Sequence, residues 1–492
     1  MCCARPYHAR TRTICLSRHA MLNARARAAS VCASSSPDSN RLFAVRGTTC
    51  TSGSSEYGGV GVNIFDALWC GSTAMASPCN YTDVLGSLAS LSQSGLRFFR
   101  FFASLHGDRQ VQWLENPVAF WATFDRLMFD VQRLGLFVVV SLGAEAWHEV
   151  ANRWTKATSL ETLNDLVTNK SSLSRSLAVR YVDEVVRRYA DRPEVLFWEL
   201  GNELNLKTNM PHQCGTTTAI RSQQLEGANH SRRSSSTSST SSSSSSSSRS
   251  ASIGTATVQA LTDSRCFNTS ALVGYTRHLV DTIRRADPRR PISSGFAVTR
   301  GSAWHQERCR PSNAPRAPSA PSAGAHHLPL SDGDPCSDHG EGGVDTIEQW
   351  QRILLWQHAA VDIVSLHVYP GLKGCWFGRA ADHACHRQNN ITLLSVAARA
   401  AASVGKPLYV GEYGGRAPNF TGPTEQAQAF PEAVLRWQVE SRTAVAGAPR
   451  PLSSIWSWSC PSKRATMRCA WPFEEGSARL VALLQAAERG ED

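Results

Sequence analysis

Two carboxylates stand out by where they fall along the chain. Glu203 follows the apolar run 195–200 in Gly201-Asn202-Glu203, and Glu412 sits in Leu408-Tyr409-Val410-Gly411-Glu412-Tyr413-Gly414. An acid flanked by glycines just past an apolar run is seldom structural. Other reactive types occupy similar points on other runs: Arg100 within Leu96–Phe102, His367 and Tyr369 in His367-Val368-Tyr369, and Trp456 in Trp456-Ser457-Trp458. Two acids projecting into one cavity from opposite sides suit glycoside hydrolysis. One protonates the departing oxygen, and the other attacks the anomeric carbon or activates water. Their separation sets the outcome: about 5–5.5 Å for retention and about 6.5–9.5 Å for inversion.

These residues need elements to hold them. From residue 57 onward, short apolar runs alternate with amphipathic stretches. The runs at 59–65, 96–102, 136–142, 195–200, 291–297, 362–368, 407–413 and 453–459 read as strands. Val138-Val139-Val140 is continuous and β-branched, as a strand covered on both faces requires. Helical patterns fall between the runs, with Pro117 placed for a first turn and Gly135 for a stop. The final helix is expected at 477–489. Strict alternation implies a parallel sheet, and eight units imply closure. The predicted fold is therefore an α/β class (β/α)₈ TIM barrel with two long loop insertions. An open doubly wound sheet would carry a glycine-rich phosphate turn after its first strand, and none is present. In such a barrel catalytic groups lie at the carboxyl ends of the strands, where the residues above fall.

The domain reading follows. Residues 1–56 form a basic, Ser/Ala-rich N-terminal segment, with six arginines against one acid in the first 40 residues. That composition resembles a transit peptide or an extended gene start. Residues 57–492 form the barrel. Within it, 207–262 is a Ser-rich insertion with eight consecutive serines at 241–248, which cannot bury a core. The second insertion, 305–345, is rich in Pro, Ser and His.

The net charge is +11 over 492 residues, but no basic stripe with interleaved aromatics appears, which argues against nucleic-acid binding. No apolar run reaches transmembrane length. Fifteen cysteines suit an oxidising compartment. Ten fall into neighbouring pairs: Cys70/Cys79, Cys214/Cys266, Cys309/Cys336, Cys375/Cys385 and Cys460/Cys469. Connectivity stays open; of the eleven cysteines beyond the first 40 residues, Cys50 is left over. Six sequons, at Asn80, Asn169, Asn229, Asn268, Asn390 and Asn419, point the same way. Secretion or a secretory-pathway lumen is expected, with organelle targeting as the alternative. Cys309, His326, His327, Cys336 and His339 match no zinc spacing, so no metal site is assigned.

Phe197-Trp198-Glu199-Leu200-Gly201-Asn202-Glu203 resembles the strand-four Asn-Glu signature of clan A glycoside hydrolases, and Leu408–Gly414 resembles their strand-seven nucleophile motif. With His367-x-Tyr369, Arg100 and Trp456 in order, the chain resembles glycoside hydrolase family 5, which includes endo-β-mannanases and β-glucanases. The resemblance implies that Glu203 is the general acid/base and Glu412 the nucleophile, with Arg100 holding Glu412 ionised. It implies that Asn202 binds the sugar 2-hydroxyl, that Tyr369 lies near the nucleophile, His367 near the acid/base, and Trp456 beneath the sugar. Past strand three the chain departs from the family, and Trp147 or Glu145 is the substitute substrate contact there. The expectation is a monomeric retaining hydrolase of β-linked polysaccharide or oligosaccharide, mannan first and β-1,4-glucan second, without a cofactor. A non-catalytic carbohydrate-binding protein on the same barrel and a transglycosylase are the alternatives.

Overall fold

In the run Phe98–Phe102 all five residues are buried, an arginine among them. Strand geometry explains how. Successive side chains point to opposite faces, so Phe99 and Phe101 join the large core beneath the helices while Phe98 joins a smaller cluster inside the sheet. Arg100 shares the inward parity with Phe98.

The computed structural model describes residues 43–52, 55–57, 59–71, 80–105, 107–143, 146–156, 160–209, 267–308, 345–369, 390–414, 424–443, 451–456 and 482. The chain divides into Met1–Arg41 and Leu42–Asp492, and every described residue belongs to the second unit. The strands are β1 (Phe43–Arg46), β2 (Thr49–Ser52), β3 (Ser55–Glu56), β4 (Val60–Asn63), β5 (Phe98–Phe102), β6 (Phe137–Ser141), β7 (Val195–Glu199), β8 (Ile292–Ser293), β9 (Val364–Val368), β10 (Leu408–Tyr413) and β11 (Leu452–Ile455).

Strands β4 to β11 form one parallel sheet in the order β8-β7-β6-β5-β4-β11-β10-β9. A parallel bridge from Ser293 to Ile363 brings the two edges together, giving a nearly closed barrel. The eight strands fall on the eight predicted runs. Long helices lie between them at Tyr81–Gln93, Pro117–Arg133, Leu173–Tyr189, Thr269–Ala286, Ile347–Gln357, Asn390–Ser403 and Thr424–Thr443. Their starts are chemically marked. Asn80 with Asp83 and Thr346 with Gln349 form capping boxes, and Ser172 and Asn268 each cap a helix through the side chain. The expected last helix, at 477–489, lies outside the described residues apart from Ala482.

The lower half of the barrel is filled by Phe98, Val139, Phe197, Tyr409 and Leu452. Gly61 on β4 makes room for this layer, because a Cβ there would lie 2.5 Å from the Phe98 ring. Phe43 and Cys50, from the antiparallel sheet β1-β2-β3, join the same cluster. The β1–β2 hairpin thereby supplies cover for the barrel's apolar floor. Cys50 is buried there as a free thiol.

Of the ten paired cysteines, only Cys70 is described, buried on the short helix Ala67–Gly71. Cys79, Cys214, Cys266, Cys309, Cys336, Cys375, Cys385, Cys460 and Cys469 lie outside the described residues, as do most of both insertions (210–266 and 309–344). No helix among the described residues is long and apolar enough to cross a membrane.

Candidate active site

Above the apolar floor the inward positions turn polar, and they do so at the carboxyl ends of the strands. Asn63 ends β4, Glu199 ends β7, His367 is the penultimate residue of β9, and Glu412 that of β10. Arg100, from β5, joins them. Its Nε donates to Glu199 Oε1 at 2.6 Å and its Nη1 to Glu412 Oε1 at 2.6 Å and Asn63 Oδ1 at 3.0 Å. Its Nη2 donates to Asn202 Oδ1 at 2.9 Å. A planar guanidinium presents five donors in a fixed fork, and here that fork ties four residues from three strands and one loop. Asn63 is itself fixed, its Nδ2 donating to Gly411 O at 3.0 Å and Ser454 O at 3.2 Å.

Glu203 reaches the cavity through an unusual backbone. Its φ is +54°, in the left-handed region, and its N–H donates to Gly295 O at 2.8 Å. A non-glycine residue held there costs of order 1–3 kcal/mol and persists only where the surroundings over-determine it. Gly295, with φ +69°, permits the close approach, since a Cβ there would lie 1.8 Å from Gly201 O.

One carboxylate oxygen of Glu203, one of Glu412 and one ring nitrogen of His367 lie within 4.8 Å of one another. His367 Nδ1 is 3.1 Å from Glu203 Oε1 and 3.5 Å from Glu412 Oε1. The Tyr369 hydroxyl donates to Glu412 Oε2 at 2.6 Å. The two acids and the imidazole have the spacing of a cation site. The donor set suits one poorly, because Arg100 already places a positive charge against Glu412 Oε1 and would repel a second cation.

Burial pushes the Glu203 carboxyl above its ordinary range, against the opposing charges of Arg100 and Lys207. Burial also pushes Glu412 up. His367 and Arg100 pull it down, the Glu203 charge adds to the rise, and the Tyr369 hydrogen bond opposes it. Arg100 therefore favours the ionised form of Glu412, but desolvation is the larger influence. Within the pair, Glu412 accepts from Arg100 and Tyr369, while Glu203 has the His367 ring nitrogen beside it. Burial lowers His367 to about 4, which keeps the imidazole neutral.

The structure gathers Glu203, Glu412, Arg100, Asn202, His367 and Tyr369 into one cluster. Trp456 stands beside it, its backbone N–H donating to Tyr413 O at 2.7 Å and its ring stacked on Phe65 at 4.9 Å between centroids. Trp147 is not brought there. It is 1% exposed and packs on Trp113 at 5.9 Å and Tyr181 at 5.0 Å. This corrects the expected substrate contact: the start of the helix Trp147–Thr155 turns the ring into the core. Glu145 lies outside the described residues. Asn63 and Glu199 were missed from sequence, although each is a polar residue at the carboxyl end of an apolar strand.

No protein-family model matches the chain, and no curated protein matches it. The fold has solved counterparts. A glycoside hydrolase family 5 mannosidase from Rhizomucor miehei in complex with mannosyl-fructose matches with a TM-score of 0.53 and 12% identity, covering 92% of this chain and 99% of that one. An endo-1,4-β-mannanase from Rhizomucor miehei matches with a TM-score of 0.50 and 12% identity, covering 91% and 99%. At such identity the likeness is one of fold. The chain shares the barrel of these enzymes.

Proposed function

We propose that this protein is a retaining glycoside hydrolase acting on β-linked polysaccharide by double displacement. The observation that carries the reading is the meeting of Glu203 and Glu412 at the mouth of the barrel, with carboxylate oxygens within 4.8 Å. So close an approach is compatible with the shorter separation of retaining enzymes, about 5–5.5 Å between carboxyl groups. The same fold hosts many chemistries, so the argument rests on the site.

The roles follow from the environments. Glu412, held by Arg100 and Tyr369, attacks the anomeric carbon as a carboxylate. Glu203, protonated and partly exposed, gives its proton to the departing glycosidic oxygen. In the second half, Glu203 takes a proton from water as that water attacks the anomeric carbon, and the Glu412 carboxylate leaves. Asn202 commits its carbonyl oxygen to Arg100. Its Nδ2 is left to donate to the sugar 2-hydroxyl. Trp456 offers an aromatic face to the sugar ring. Mannan is placed before β-1,4-glucan because the two neighbouring structures are named a mannosidase and a mannanase.

The test is hydrolysis of mannan and of β-1,4-glucan by the purified protein and by Glu203→Ala and Glu412→Ala, with the product anomer followed by NMR. Loss of activity in both variants and a β-anomer released first are expected. Full activity in either variant, or an inverted product, overturns the reading. Binding without product would favour a non-catalytic carbohydrate-binding protein, and longer products would favour a transglycosylase.

A further inference from the structure

Away from the barrel mouth, a cavity of about 380 Å³ opens between the helices Leu173–Tyr189 and Thr269–Ala286. Its walls carry Lys170, Arg175, Arg180, Arg285 and His278 against one carboxylate, Asp183. Asp183 is already engaged, accepting from Arg187 Nε at 2.8 Å. Arg180 is engaged as well, donating to Glu184 Oε1 at 2.8 Å. Lys170, Arg175 and Arg285 have no carboxylate within salt-bridge distance among the described residues.

Arg175 is the telling member. It is 4% exposed, yet its partners are neutral: His278 Nδ1 at 3.2 Å from Nε and Val167 O at 3.0 Å from Nη1, with the Tyr275 ring centroid 5.2 Å from Cζ. Burying a charge without a counter-charge is costly. Because a guanidinium only donates, His278 Nδ1 must accept, which puts the proton of the neutral imidazole on Nε2 as one more donor. His278 also reports the local field. Burial lowers its pKa, and Arg175, Arg285 and Lys170 lower it further, with Asp281 alone opposing. Among the described residues Arg285 Nη2 has only the Thr282 hydroxyl for a partner, at 3.0 Å.

The geometry points to an anion site: this cavity binds a tetrahedral oxyanion, a sulfate or phosphate group, either as a free ion or as an ester on a sugar. A buried guanidinium flanked by an ammonium, a second guanidinium and an imidazole N–H matches the several acceptor oxygens of such a group. The cavity has room for more than a bare ion, which leaves space for a sugar ring beside it. None of its residues belongs to the cluster around Glu203 and Glu412, so the inference stands apart from the hydrolase reading.

The experiment is calorimetric titration of the full chain at fixed ionic strength with inorganic sulfate, inorganic phosphate, a sulfated oligosaccharide and a neutral manno-oligosaccharide of equal length. Saturable one-site binding is expected from an oxyanion ligand. The exposed variants Lys170→Ala and Arg285→Ala should each weaken it by up to about fivefold, and Arg175→Gln by about tenfold or more. Tighter binding of the sulfated sugar than of the free ions would assign the ligand to a carbohydrate ester, and equal or weaker binding to a free ion. Absence of saturable binding by every anion, or binding unaltered in both exposed variants, overturns the proposal. Should Arg175→Gln fail to fold, the two exposed variants still decide it.

Discussion

Arg100 Nη1 donates to Glu412 Oε1 at 2.6 Å, with the two side chains 0% and 5% exposed. The same guanidinium holds Glu199 at 2.6 Å, itself fully buried. One cation thus serves two buried carboxylates. Arg100→Met should cost about 3–5 kcal/mol of stability, because it leaves both acids buried without a counter-charge. Arg100→Lys should fail too, since one ammonium cannot span Glu199, Glu412, Asn63 and Asn202 in the planar arrangement. Denaturant unfolding reads the cost, and a loss under about 1 kcal/mol would show that the network is not formed.

Tyr369→Phe removes a hydrogen bond that favours the Glu412 carboxylate. The sign follows directly. Without that donor the Glu412 pKa rises further, and the nucleophile ionises at a higher pH. The rising limb of the activity profile should move to higher pH in the variant, while the falling limb, set by loss of the Glu203 proton, moves less. A pH series of kcat/KM tests this, and a rising limb that stays put or moves down would contradict it.

Gly295→Ala should damage stability and catalysis together. The added Cβ would lie 1.8 Å from Gly201 O and 2.8 Å from Glu199 Cδ, at a φ of +69°. Overpacking of this kind costs about 1–3 kcal/mol. Gly295 O also anchors the Glu203 backbone, and displacing an acid by about 1 Å can lower kcat by about 100-fold. Thermal unfolding and kcat measured on the folded fraction check both arms; a variant matching the parent in kcat would show that this contact does not position Glu203.

The two tryptophans should separate. Trp147→Ala empties a buried aromatic cluster and should cost about 3–5 kcal/mol of stability, leaving the KM of the folded fraction unchanged. Trp456→Ala should raise KM by roughly three- to tenfold, the value of an aromatic contact. A KM effect at Trp147 would return that residue to the substrate.

The sequence by itself determined the barrel. Eight apolar runs of strand length, separated by capped amphipathic stretches, admit few arrangements, and the β-branched core of β6 and the glycine and proline punctuation marked the boundaries within a few residues. It also placed Arg100, Glu203, His367, Tyr369 and Glu412 at one end, because position along a parallel strand fixes which rim a residue occupies. What it left open depends on contacts across the barrel. The antiparallel sheet at 43–56 carries little apolar signal of its own and earns its place through Phe43 and Cys50 against the floor. Asn63 and Glu199 acquire meaning only when Arg100 reaches both. Trp147 is directed by the turn of its helix, which no spacing in the chain reveals. The separation of Glu203 and Glu412, the quantity that chooses between two hydrolytic routes, was decided by barrel closure and by the left-handed backbone at Glu203, since distances between β7 and β10 are set by how the whole sheet coils and not by the residues along either one.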